Sequence, residues 1–121
     1  MNRSIMKVKV KRIYEAYENV DGFRILVDRL WPRGVKKEIA QIDTWLKEVA
    51  PSTTLRKWFA HDPERWPEFV SRYKKELHGS MAFQELMTLV KKHKMVTLLF
   101  SAKDEAHNQA VALKKFLEEK R

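Results

Sequence analysis

Two short apolar runs limit what this chain can fold into. Phe23-Arg24-Ile25-Leu26-Val27 and Met95-Val96-Thr97-Leu98-Leu99-Phe100 are too short for buried helices and carry the branched and aromatic residues of buried strands. The first follows a turn signal, Asn19-Val20-Asp21-Gly22. Most of the chain between the two runs has helical spacing. Strands joined by a long helical crossover run parallel. In such sheets ligands bind beyond the carboxyl ends of the strands.

A third strand is predicted at the N-terminus, where Met6, Val8 and Val10 alternate with Lys7, Lys9 and Lys11. The apolar set is expected to face the core and the three lysines to project together into water. Ile39, Ile42, Trp45/Leu46 and Val49 match a helix over 36–49, ended by Ala50-Pro51, while Asp43-Thr44-Trp45-Leu46-Lys47 also reads as extended chain; the helix is the reading adopted. Ser52 or Thr53 caps the next helix, with Leu55, Trp58 and Phe59 on its apolar face. Asp62-Pro63 opens another, whose stripe is Trp66, Phe69/Val70, Tyr73 and Leu77, and Gly79 closes it. Ser80 caps a helix through Phe83, Leu86/Met87 and Val90, and a last helix is expected from about Glu105 to Glu118. With 121 residues and no linker or repeat, the chain is expected to be one small α/β domain spanning 1–121, a short, mostly parallel sheet packed against four or five helices.

The absence of cysteine removes disulfides, thiolate nucleophiles and zinc–thiolate sites. The three glycines, at 22, 34 and 79, cannot write a Walker or dinucleotide-binding loop. No cofactor and no metal site is expected. No run approaches the length of a membrane helix, and the N-terminus lacks the apolar segment of a signal peptide, so no membrane partner and a cytoplasmic location are expected. The net charge is +9, and residues 1–12 hold five bases and no acid. Such a stripe suits weak, non-specific contact with nucleic acid phosphates. The favoured reading is an edge strand protected by lysines against sheet-to-sheet pairing.

The two strand ends carry the candidate chemistry. The first supplies Asp28, Arg29, Trp31 and Arg33, and the second Ser101, Lys103, Asp104, Glu105, His107 and Asn108. Arg29, Arg33 and Lys103 converging near a helix N-terminus make a pocket for a small phosphate- or carboxylate-bearing ligand, a nucleotide among the options. Trp31 offers a stacking wall, Ser101 and Asn108 offer polar contacts, and Asp28, Glu105 or His107 offer general acid or base groups. Ser101 has no Gly-x-Ser-x-Gly elbow around it, which argues against a nucleophile. His61 and Arg65, in a second basic and aromatic cluster, are further candidates for the same pocket. The other readings are a nucleic-acid-associated basic module and a protein-interaction domain without catalysis.

Four ordered motifs then make the chain recognisable. They are residues 26–34 (Leu-Val-Asp-Arg-Leu-Trp-Pro-Arg-Gly), Ala50-Pro51-Ser52, Leu55-Arg56-Lys57-Trp58-Phe59 with His61-Asp62-Pro63, and Leu98 to Asn108. Together they resemble the YeaO-like family of bacterial domains of unknown function, over nearly the whole chain from about Arg12 to Leu117. The resemblance implies a single α/β domain and carries no activity with it. It also implies that longer relatives hold cysteines near the positions of Phe100 and Asn108, which this chain lacks.

Overall fold

A computed structural model describes residues 7–120. Four strands, β1 (Lys7–Arg12), β2 (Phe23–Leu26), β3 (Thr44–Trp45) and β4 (Met95–Phe100), form one sheet in the order β1-β4-β2-β3. All three pairings are parallel, with Val10 opposite Leu98 and Ile25 opposite Leu98 on its other side. The predicted pairing of the two apolar runs is therefore present, with β4 at the centre and β1 at an edge. Five helices accompany the sheet: α1 (Lys37–Ala40), α2 (Thr53–Phe59), α3 (Trp66–Leu77), α4 (Met81–Lys92) and α5 (Gln109–Lys120).

The two sheet faces are built differently. Val8, Ile25, Val27, Val96, Leu98 and Phe100 meet the apolar stripes of α2 to α5, including Phe59, Phe69, Tyr73, Leu86 and Leu113. This is the main core. The opposite face carries a smaller cluster, Ile13, Leu26 and Leu99, covered by Trp31, Val35 and Ile42 from irregular chain and by Trp45 of β3.

That second face corrects two expectations. The helix predicted over 36–49 is a single turn, α1, followed by β3 and a short turn at Lys47–Val49. Trp45 belongs to the small cluster and its neighbour Leu46 to the main core, so the segment alternates between faces as a strand does. The lysine row is also broken. Lys11 is buried and binds Asp21 at 3.0 Å and Glu18 at 3.0 Å, while Lys9 reaches Asp21 at 3.1 Å. Asp21 also receives the Arg24 guanidinium at 2.5 Å. Burial alone would push the Asp21 carboxyl up, but hydrogen bonds from Lys11, the Glu18 backbone, Lys9 and Arg24 outweigh it and hold it well below the usual range. Three lysines do not stand in water together. Met6 lies outside the described residues.

The last helix starts later than predicted, at Gln109, with residues 101–108 as a loop. Asn108 caps it, accepting from Val111 N at 3.0 Å and donating to the Asp104 carbonyl at 2.9 Å. Among the described residues no helix is long and apolar enough to cross a membrane.

Candidate functional site

Because the strands are parallel, their carboxyl ends open at one edge of the sheet. Ile13 N–H bonds Phe100 O and Val27 N–H bonds Leu99 O, so the ladders continue to the point where the loops depart. Those loops enclose a cleft of about 700 Å³. Asp28, Arg29, Trp31, Arg33, His61, Ser101, Lys103, Asp104, His107 and Asn108 all line it. Ten of the residues singled out from sequence therefore converge. Glu105 and Arg65 do not: Glu105 lies in the loop before α5, and Arg65 pairs with Asp62 and lies over the Trp58 ring. The later start of α5 is why Glu105 is not part of a first helical turn.

Asp28 ties the site together. It is buried, and its Oδ2 accepts from Ser101 N at 3.1 Å and Ser101 Oγ at 2.6 Å, while Oδ1 accepts from Gln109 Nε2. One carboxylate thus joins the ends of β2 and β4 to the first residue of α5. Burial pushes its pKa up against the opposing pull of these donors. Its oxygens are engaged by the protein's own groups, which makes it a positioning group for the loops.

Asp104 and His107 form a second unit. Asp104 Oδ1 accepts from the Ala106 and His107 amides, and Oδ2 lies 2.9 Å from His107 Nδ1. The imidazole hydrogen bond, then the two amides, hold the Asp104 carboxyl below its ordinary range. The imidazole meets the Trp66 ring edge-on, with centroids 5.3 Å apart. Asp104 and Trp66 together fix the orientation of the imidazole. The hydroxyl of Ser101, however, is bonded to Asp28, so no nucleophile–base hydrogen bond joins Ser101 and His107.

The cationic groups are the other constituent. Arg29 donates Nη2 to the Ala50 carbonyl at 3.0 Å and lies 3.5 Å from Glu48, while its buried Nε has no hydrogen-bond partner. Arg12 donates Nε to the Ala102 carbonyl at 2.9 Å and stacks on Tyr14, 4.7 Å from the ring centroid. Arg33, Arg56 and Lys103 line the cleft, and their side chains form no ion pair or hydrogen bond with the described residues. Trp31 is held as a fixed wall, its indole N–H donating to Val35 O at 2.7 Å and its ring set edge-on to Trp45. Arg12, Tyr14 and Gln109 escaped sequence reasoning. The signal for the first two lay in the register: β1 runs parallel to β4, so Arg12 stands opposite Phe100 and its end opens on the same edge.

The sequence profile described as the inactive DUF488-N3 subclade matches residues 7–121. The chain belongs to this family. It is 41% identical over 112 residues to the uncharacterized protein YeaO of Escherichia coli (strain K12), covering 93% of this chain and 97% of that protein. An uncharacterized protein of Mycobacterium tuberculosis is 43% identical over 111 residues, covering 92% of this chain and 93% of its own length. The YeaO-like resemblance read from the four motifs thus holds over nearly the whole domain. No solved structure matches.

Proposed function

We propose that this protein is a binding module for a small anionic metabolite bearing a phosphate or carboxylate, held in the cleft at the strand ends. The charge balance of the cleft carries the reading. Five permanent cations, Arg12, Arg29, Arg33, Arg56 and Lys103, line it against two carboxylates, Asp28 and Asp104, each already bonded to neighbours. A concave site with one sign of charge focuses its field on a ligand of the other sign. Guanidinium groups grip phosphate or carboxylate through paired N–H donors.

Binding without turnover fits the groups present. Ser101 is not paired with His107, and there is no cysteine. The word "inactive" in the family's description agrees with this reading. The nucleic-acid alternative loses its main support in the buried Lys11, which is paired inside the fold.

Thermal denaturation against a panel of phosphate monoesters and carboxylates tests the proposal. A ligand bound only by the native state raises stability by about 2.7 kcal/mol at a hundredfold excess over its Kd. We expect a concentration-dependent rise in Tm with at least one anion, lost in the double variant Arg33→Gln/Lys103→Gln. A panel without any such rise refutes the reading.

A further inference from the structure

We infer that the anion recognised here is carried on a flat apolar body, as in an aryl phosphate or an aromatic carboxylate, rather than being a bare inorganic ion; the inference rests on the anion-binding reading above. Size gives the first argument. A tetrahedral oxyanion displaces only a few water volumes of about 30 Å³ each, a small part of a cleft of about 700 Å³. Pockets of roughly 300–1,000 Å³ are typical of larger organic ligands, whose apolar parts they desolvate.

The lining gives the second. Phe59 and Phe69 are stacked with centroids 4.4 Å apart and line the cleft, together with the buried prolines Pro32 and Pro51. Leu30, also part of the lining, is 71% exposed, and Tyr14 is 46% exposed. Leu30 stands between Arg29 and Trp31, on a loop whose neighbours are fixed by hydrogen bonds.

The third argument is how charge and apolar surface alternate. Arg29 is bonded to the Ala50 carbonyl, beside Pro51, and Arg12 is stacked on Tyr14 and bonded to Ala102. An anion seated on either guanidinium brings its attached group against aromatic or aliphatic surface. A ring gains there both apolar burial and stacking against guanidinium planes. A bare ion gains neither.

Titration calorimetry with phenyl phosphate and methyl phosphate separates these cases, because the two esters share one head group and one charge. We expect phenyl phosphate to bind at least tenfold more tightly. Leu30→Ser, at an exposed position that leaves the fold intact, is expected to weaken phenyl phosphate several-fold and leave methyl phosphate unchanged. Equal affinities for the two esters in the wild type overturn this inference while the anion site stands. Failure of both esters to bind overturns this inference, and the anion site falls with it when no anion of the thermal panel raises Tm.

Discussion

Replacing Asp28 separates the positioning role from a chemical one. In Asp28→Ala the Ser101 amide, the Ser101 hydroxyl and the Gln109 amide lose their acceptor together. A buried donor left unpaired costs about 1–3 kcal/mol. Ser101 and Gln109 are only part-buried, so water recovers some of this, and relief of a desolvated carboxylate returns more. We expect a net loss of about 2–4 kcal/mol. Asp28→Asn keeps an oxygen for Ser101, and Gln109 can turn its amide to accept from the new Nδ2, so about 1 kcal/mol is expected. The pH dependence has a definite sign. Burial raises the folded pKa above the ordinary 3.8, so the Asp28 contribution is fully present below that value and is lost as pH rises through the folded pKa. The deficit of Asp28→Asn relative to wild type is therefore largest in acid and shrinks toward neutrality. Urea denaturation of the three proteins from pH 4 to 7 reads both effects, with an unchanged m-value confirming comparable folded states. Equal losses for Asn and Ala, or a deficit that grows with pH, refute the reasoning.

The ion cluster on the second sheet face is expected to be harder to disturb. Asp21→Ala strands Lys11 and Arg24 in the interior, and removing one partner of a buried pair costs about 3–5 kcal/mol by denaturant titration. Because the Asp21 pKa is lowered, its stabilisation is present above the ordinary value of about 4 and lost as pH falls below it, so Asp21→Ala flattens the acid limb of the stability profile. Gly22→Ala places a Cβ 2.3 Å from the Met95 carbonyl at φ 68°, and a loss of at least about 2 kcal/mol is expected in the same assay.

Much of this architecture is legible in the sequence where one rule dominates. The β2–β4 pair follows from two apolar runs and a helical crossover, and the site follows from where parallel strands end. Sequence reading fails where a partner comes from elsewhere in the chain. Lys11 sits in a clean polar–apolar alternation, yet the chain after β1 returns Glu18 and Asp21 to it, and their carboxylates draw it inside. Residues 36–49 have helical spacing, but pairing of Leu26 with Trp45 wins over that propensity. Asp104, Glu105 and Asn108 are all near a helix start, and only Asn108 makes the capping bond to α5, because Asp104 spends its oxygens on the Ala106 and His107 amides. The cation ring was half visible: Arg29, Arg33 and Lys103 follow from strand ends, whereas Arg12 needs the register of β1.

The central claim is that the cleft at the strand ends binds an anion through its cations. Titration of the isotopically labelled protein with phenyl phosphate, followed amide by amide in NMR spectra, tests it most directly. The account predicts saturable shifts confined to residues 28–35 and 101–109, abolished in Arg33→Gln/Lys103→Gln while the remaining spectrum keeps its dispersion. Shifts that never saturate, or that centre on Lys7 and Lys9, would contradict it.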